Sequence, residues 1–168
     1  SSQSINKKLA TYAANQIENA EVTLLDLNDF EMPIFSVDKE KNGMPEPAQI
    51  FKNHLLETDG IIISFAEHNG SYAAIFKNLL DWTSRIKGNI KIWEGKPMFL
   101  MATSPGGRGG KTVLGAAVGS FGHQGGNVAA SFSLPSFRQK FSETEGILDK
   151  ELAAAFQAIT FDAFSNLS

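Results

Sequence analysis

Two short and almost wholly apolar runs constrain the fold of this chain more than any other feature. They are residues 60–65 (GIIISF) and 97–102 (PMFLMA). Runs of this length are too short to span a membrane, and they lack the polar alternation of a strand with one wet face. They indicate strands that are buried on both faces, as in parallel sheets covered by helices on both sides.

Helical patterns surround these runs. In the opening segment, apolar residues recur at spacings of three and four, and Ser4 is the expected N-cap. Strand character recurs at 21–27 and 127–134, whereas 28–47 is rich in proline, glycine and charge and is predicted to be a long loop. Alternating strands and helices indicate a single α/β domain over residues 1–168. Further helices are predicted over 48–57, 71–85, 111–121 and 148–164.

The composition excludes several classes of function. Basic residues number 15 and acidic residues 18, so the net charge of −3 offers no excess of cations to a nucleic-acid backbone. The chain has no cysteine, which removes thiolate nucleophiles, disulfides and cysteine-ligated metals and allows a cytoplasmic location. The three histidines lack metal-ligand spacing. We therefore expect a soluble cytoplasmic protein with no metal, nucleic-acid or membrane partner.

Ligands of open α/β sheets bind outside the carboxyl ends of the strands, and three segments fall there. The first is residues 1–6 (SSQSIN), where hydroxyl and amide side chains stand at a helix start that favours an anion. A simple capping arrangement is the alternative interpretation of this segment.

The second segment, residues 66–71 (AEHNGS), follows the run at 60–65 directly. Glu67, His68, Asn69 and Gly70 can offer backbone groups to a planar ligand, and Gly70 permits its close approach. The alternative is a plain turn in which Ser71 caps the next helix.

The third segment, residues 103–110 (TSPGGRGG), follows the run at 97–102. Its glycines free the backbone to wrap around a ligand, and Arg108 is a candidate partner for a phosphate. The segment lacks the ending of a P-loop, so it does not indicate a nucleoside triphosphate site. A flexible loop without a ligand is the alternative.

Residues 66–85 (AEHNGSYAAIFKNLLDWTSR) carry the most specific pattern of the chain. They resemble the pattern P-E-Y-N-x-S-x-P-x-x-L-K-N-x-x-D-W-x-S-R of the NADPH-dependent FMN reductase family, which includes quinone, chromate and azo-dye reductases. Ala66, His68 and Ala73 depart from that pattern. The residues in register with it are Glu67, Asn69, Ser71, Lys77, Asn78, Asp81, Trp82, Ser84 and Arg85.

The other two segments match the same family. Ser4 and Asn6 correspond to the end of its phosphate-binding loop, with Ser1 at the position of the usual arginine, and residues 104–110 correspond to its second glycine-rich flavin loop. The resemblance implies that FMN is the cofactor and NADPH or NADH the co-substrate. It implies that the FMN phosphate lies against Ser2, Ser4 and Asn6. The residues implied to line the isoalloxazine are Glu67, His68, Asn69 and Gly70 on one side and Ser104, Gly106 and Gly107 on the other.

The implied chemistry is transfer of electrons from NAD(P)H through bound FMN to a small-molecule acceptor such as a flavin, a quinone or an azo compound. No residue then needs to act as a nucleophile or general base, although His68 is placed to protonate a reduced quinone. A non-enzymatic flavodoxin-type electron carrier is the leading alternative, but such carriers tend to be strongly acidic. A flavin-free ligand-binding or structural protein of the same fold is a third possibility.

The resemblance also implies a flavodoxin-like fold, with five parallel strands in the order 2-1-3-4-5 and helices on both faces. The chain begins with the helix that should follow the first strand, so we expect about ten further residues upstream, forming a short apolar strand that ends in Gly-Ser.

The family resemblance implies a homodimer or homotetramer formed through the helix at 72–86, with Asp81, Trp82 or Arg85 at a subunit contact. Considered alone, Asp81 and Arg85 have the spacing of an exposed i,i+4 pair, and Trp82 falls on the apolar stripe of its helix. Trp93 is predicted to lie at a pocket rim or a subunit contact.

Overall fold

The computed structural model describes residues 3–88 and 91–164. Its strands are β1 (Ile61–Phe65), β2 (Glu67–His68), β3 (Ser71–Tyr72), β4 (Pro97–Thr103), β5 (Asn127–Leu134), β6 (Phe141–Ser142) and β7 (Gly146–Ile147). Its α-helices are α1 (Ile5–Ala14), α2 (Val37–Glu40), α3 (Glu46–Glu57), α4 (Ala74–Thr83), α5 (Lys111–Phe121), α6 (Phe137–Lys140) and α7 (Lys150–Phe164). A 3-10 helix covers Leu27–Phe30. The predicted α/β class is confirmed.

The main sheet is parallel and has the order β1-β4-β5. Its centre is β4, whose residues from Met98 to Thr103 are all buried, as the apolar run predicts. In β1 only Ile61 and Phe65 are buried, and the three residues between them are half-buried. The prediction of complete burial is therefore wrong for β1, because within residues 3–88 and 91–164 it pairs with a strand along one edge only.

Alternate side chains of β4 enter two separate cores. Met98 and Leu100 pack on one face with residues of α3, α4 and α5. Phe99 and Met101 pack on the other face with residues of α1 and α7. Because a fully buried side chain of this size contributes about 1.5–3 kcal/mol, β4 is the element that joins both layers of helices into one domain.

The predicted strand at 21–27 is wrong. Residues 21–26 have no regular secondary structure, and the 3-10 helix begins at Leu27, with the Asp26 side chain accepting from the backbone N–H of Asn28. Val22 and Leu24 are about half exposed, at 49% and 48%. The strand does not form because no neighbouring strand in the described ranges satisfies its backbone groups.

The stretch 28–47, predicted to be a loop, is partly helical. It contains most of the 3-10 helix and all of α2, and the hydroxyl of Ser36 caps α2 by accepting from Lys39 N. Trp93 is fully buried, stacks on Phe121 with 4.7 Å between ring centroids, and donates from Nε1 to Gln124. The prediction that Trp93 lies at a rim or a subunit contact is therefore wrong for this chain.

The expected five-stranded order is not reproduced, because the parallel sheet of the described residues has three strands. The remaining strands form two small antiparallel pairs, β2 with β3 and β6 with β7. The five-stranded order and the expected upstream strand stay predictions.

Candidate functional site

The side chain of Asn6 brings the start of α1 to the carboxyl ends of β1 and β4. Its Oδ1 accepts from the backbone N–H of Thr103 at 3.0 Å and from the hydroxyl of Ser64 at 2.8 Å. Its Nδ2 donates to the carbonyl of Thr103 at 3.2 Å, and the residue is 6% exposed. The three segments that the sequence singles out therefore converge at one end of the sheet.

Ser4 is the N-cap of α1, as predicted. Its hydroxyl accepts from Lys7 N at 3.2 Å, and the first turn of α1 contains no acidic residue. The backbone N–H groups of such a turn, together with the helix dipole, favour an anion. Ser2 lies outside the described residues.

Residues 67–72 form a small hairpin that the sequence reasoning missed. Glu67 pairs with Tyr72 and His68 with Ser71, so Asn69 and Gly70 make the turn. Both turn residues have positive φ, 52° and 73°, as a type I′ turn requires. The helix begins only at Ala74, so Ser71 is not its N-cap. His68, Asn69 and Gly70 are exposed at the tip, and the Asn-Gly dipeptide is the signal that predicts such a hairpin.

The Glu67 carboxylate reaches the start of α5. Its Oε2 accepts from the backbone N–H of Val113 at 3.0 Å. This contact joins the 66–70 loop to the helix that follows the 104–110 loop, across a sequence separation of 46 residues. No spacing pattern of the sequence indicates it.

The first half of the 104–110 loop is bonded to the segment that follows β5. The carbonyls of Ser104 and Gly106 accept from the backbone N–H groups of Phe137 and Ser136, at 3.1 Å and 2.9 Å. Gly110 has a φ of 70°, and a Cβ atom there would lie 2.8 Å from the Cβ of Ala102. Glycine at position 110 is therefore required by the fold itself.

Gly106 and Gly107 have no such internal requirement. Neither has a left-handed backbone, and a Cβ atom built on either would meet no other part of the described chain within 4 Å. Their N–H groups have no hydrogen-bond partner among the described residues, and both glycines are exposed. This is the arrangement expected where a molecule from outside approaches the backbone closely.

A sequence model of the family described as NADPH-dependent FMN reductase matches residues 1–139. The chain belongs to the NADPH-dependent FMN reductase family. It is 34% identical over 103 residues to a 2-hydroxy-1,4-benzoquinone reductase of a Burkholderia species, an alignment that covers 61% of this chain and 55% of that protein. It is 30% identical over 108 residues to a quinone reductase of Pseudomonas putida, with coverages of 64% and 57%. The chain thus spans little more than half the length of these relatives.

The fold is shared with FerB of Paracoccus denitrificans, a flavoenzyme NAD(P)H:(acceptor) oxidoreductase. The TM-score is 0.73, and the superposition covers 96% of this chain and 91% of FerB. The sequence identity is 24%, so this likeness concerns the fold alone.

The family's Lys-Asn-x-x-Asp-Trp-x-Ser-Arg run lies on α4 and its end, where it clamps the segment 32–40. Asn78 accepts from Phe35 N at 2.8 Å and donates to the carbonyls of Met32 and Pro33 at 3.2 Å each. Trp82, which is 1% exposed, donates from Nε1 to the carbonyl of Pro33 at 2.7 Å. The sequence separations in this clamp exceed 40 residues, so spacing alone does not reveal it.

The last residue of the run, Arg85, is bidentate on Glu40, at 2.9 Å and 3.1 Å. The Glu40 carboxylate raises the pKa of Arg85 above its ordinary value. The predicted pairing of Asp81 with Arg85 is wrong, because Asp81 instead pairs with Lys77 at 2.7 Å. Trp82 belongs to the core, as its place on the apolar stripe predicts, and it is not available for a subunit contact.

The described residues contain no group of three or more His, Cys, Asp or Glu side chains that is able to hold a metal ion. None of the described helices combines the length and the hydropathy that crossing a membrane requires.

Proposed function

We propose that this chain binds FMN at the carboxyl ends of β1 and β4 and transfers electrons from NADPH or NADH to a small-molecule acceptor. The observation that carries the proposal is the pair Gly106 and Gly107, whose open backbone lies beside two other segments of the same family pattern. These residues fit a flavin because they expose unpaired N–H groups without a side chain in front of them.

The start of α1 is the proposed site of the FMN phosphate. Ser4 and the first-turn N–H groups would hold it, and the family pattern adds the hydroxyl of Ser2 as a further donor. The Asn6 side chain is occupied by Ser64 and Thr103, so Asn6 would contribute through its backbone N–H and by fixing the helix start. Lys7 pairs with Asp26 at 2.7 Å, so the helix dipole would supply most of the compensation for the phosphate charge.

The two loops are the proposed walls for the isoalloxazine ring. Glu67, His68, Asn69 and Gly70 would line one side, chiefly through their backbone. Ser104, Gly106 and Gly107 would line the other side, and Ser104 is already fixed by its own hydroxyl, which donates to the carbonyl of Gly106 at 3.1 Å.

When bound, FMN accepts electrons from the nicotinamide and releases them to the acceptor. The chain's own residues bind and orient it. His68 lies exposed beside the proposed ring site, where its imidazole would be the proton donor to a reduced acceptor. Quinones are the proposed acceptors, because two relatives that are 34% and 30% identical are named as quinone reductases.

A homodimer or homotetramer through the 72–86 helix is part of this proposal. Trp82 is buried and Arg85 is paired with Glu40, so the contact would use the side of α4 that presents the exposed Lys77–Asp81 pair. Size-exclusion chromatography with light scattering at about 10 μM tests it, and a monomer at that concentration contradicts it.

The function is tested by titrating the purified chain with FMN and, in parallel, with riboflavin, which lacks the phosphate. We expect the protein to retain flavin absorbance at about 450 nm after unbound flavin is removed. FMN should bind about tenfold more tightly than riboflavin, or better. In the absence of air and of any partner protein, addition of NADPH or NADH should then bleach the flavin. A pure electron carrier would show no such bleaching, because it does not accept a hydride from the nicotinamide directly. Absence of FMN binding at about 0.1 mM contradicts the proposal.

A further inference from the structure

The first turn of α5 lacks a cap from its own sequence neighbours. The residue before the helix is Gly110, which has no side chain to accept from the free N–H groups, and the first turn contains no acidic residue. The cap comes from the other loop, since Glu67 Oε2 accepts from Val113 N at 3.0 Å. A carboxylate in this position is stabilised by the helix dipole as well as by the hydrogen bond.

Thr112, next to Val113, is bonded to the 104–110 loop and lies close to the turn of the 66–70 loop. Its Cγ2 lies 3.9 Å from the position that a Cβ atom of Gly70 would take. Its hydroxyl accepts from Nη2 of Arg108 at 2.8 Å. The 66–70 loop and the 104–110 loop are therefore joined through one helical turn, and Glu67 supplies the charged contact of that junction.

The Glu67 carboxylate also occupies one of the two helix starts, those of α1 and α5, at which an anion could bind. At α5 the anion position is filled by this side chain, and the nearby Arg108 is bonded to Thr112. At α1 the first turn has no acidic residue, and the hydroxyl of Ser4 caps it by accepting from Lys7 N. A phosphate-bearing ligand that spans the two loops therefore has its favourable helix start at α1 and not at α5.

We infer that Glu67 is the positioning residue of the cleft, by which we mean the region between the 66–70 loop and the 104–110 loop at the carboxyl ends of β1 and β4. Its side chain sets the separation of the two loops by capping α5 from across the cleft, and it does so without contacting the ligand. The inference rests on the proposed function, because it assigns to this separation the fit of a flavin ring.

The test compares Glu67→Ala with Glu67→Gln, whose amide oxygen is able to accept from Val113 N without carrying charge. The matched control is Asp149→Ala, which removes a carboxylate that accepts from Leu152 N at 3.2 Å in the first turn of α7, away from the cleft. Two quantities are measured: the exchange rate of the Val113 amide hydrogen without flavin, and the dissociation constants of FMN and riboflavin.

We expect Glu67→Ala to accelerate exchange of the Val113 amide hydrogen by about tenfold. It should also raise the dissociation constants of FMN and riboflavin by the same factor of about ten, because the loops face the ring that both ligands share. For Glu67→Gln, the Val113 exchange rate and the two flavin dissociation constants should lie within about threefold of the values for the original chain. Asp149→Ala should leave both flavin affinities unchanged. Flavin binding by Glu67→Ala equal to that of the original chain overturns the inference. So does equal weakening by Glu67→Gln when Val113 exchange in that variant keeps its original rate, because the charge would then act on the ligand and not through the cap of α5.

The two proposals fail differently. If the original chain binds neither flavin, the proposed function fails, and the role of Glu67 as a positioning residue for flavin falls with it. The exchange rate at Val113 then still decides whether Glu67 caps α5. If the original chain binds flavin and Glu67→Ala does so equally well, only the inference about Glu67 fails.

Discussion

On α4 and its end, Asn78, Trp82 and Arg85 all find partners inside the chain, whereas after β4 the N–H groups of Gly106 and Gly107 find none among the described residues. Both sets belong to segments by which the family is recognised. The first set holds the segment 32–40 in place and needs no ligand to account for it. The N–H groups of the second set have no partner among the described residues, although the carbonyl of Gly106 accepts from Ser136 N, so these N–H groups are the stronger evidence for a bound molecule.

The most recognisable part of a family pattern therefore need not be its binding site. The spacing of 78, 82 and 85 places three polar groups on one side of a helix, and that is what a clamp across a packed segment requires. Gly106 and Gly107 have exposed N–H groups and no left-handed backbone, so the fold itself does not require glycine at either position.

The largest expected effect concerns Asn6, the internal anchor of the cleft. Asn6→Ala leaves the buried N–H and carbonyl of Thr103 without their partner, so we expect the free energy of unfolding to fall by about 3 kcal/mol. Denaturant unfolding measures it. Asn53→Ala on α3, where Asn53 accepts only from the exposed Gln49, is the control and should change it by less than about 0.5 kcal/mol. Equal losses for the two variants would show that the cleft has no internal anchor.

Asn78→Ala tests the clamp. It removes three hydrogen bonds to the segment 32–40, so we expect the free energy of unfolding to be about 1–2 kcal/mol lower than that of Asn53→Ala. Asn53→Ala is the reference because it makes the same change of asparagine to alanine in a helix and so gains the same helix propensity. Limited proteolysis should cut at 32–40 faster in Asn78→Ala. The flavin affinity of Asn78→Ala should equal that of the original chain. A loss of affinity would show that the clamp supports flavin binding and not only the fold.

The ion pair between Lys7 and Asp26 is expected to have a smaller effect. The hydrogen bond from the Lys7 ammonium, more than any other cause, lowers the pKa of Asp26 from 3.8 to about 2. Because the folded pKa lies below the unfolded one, the stabilisation is present above about pH 4 and is lost as the pH falls toward 2. The pair is exposed, so the effect on stability is modest and is screened by salt.

Carboxyl chemical shifts followed by NMR measure the Asp26 titration directly. In Lys7→Gln the pKa should return toward 3.8. A titration that is identical with and without the Lys7 ammonium would contradict this assignment of the shift.

Local patterns predict the parts of this structure that depend on local physics. The apolar run at 97–102 predicts the central strand, because its burial on both faces follows from its composition. The α5 bounds of Lys111–Phe121 and the β5 bounds of Asn127–Leu134 are likewise confirmed. Ser4 is the N-cap because a hydroxyl before an amphipathic stretch has a local reason to be there.

The failures concern contacts between distant residues. Residues 21–26 have a strand composition, yet a strand exists only where another strand pairs with it. The hydrogen bonds that Glu67 accepts from Val113 N and Asn78 accepts from Phe35 N span 46 and 43 residues, so no periodicity of the sequence encodes them. The hairpin at 67–72 is different, because Asn69-Gly70 is a local signal that predicts it.

Under the proposed function, Gly106 and Gly107 are glycines because a flavin approaches their backbone. The claim is tested by the dissociation constant of FMN for Gly106→Ala and Gly107→Ala, compared with Gly122→Ala at the end of α5, where a Cβ atom is also free of contacts. We predict that all three variants keep the stability of the original chain or gain up to about 1 kcal/mol, and that only the first two lose FMN affinity, by about tenfold or more. FMN affinities of the first two variants equal to that of Gly122→Ala would contradict the claim.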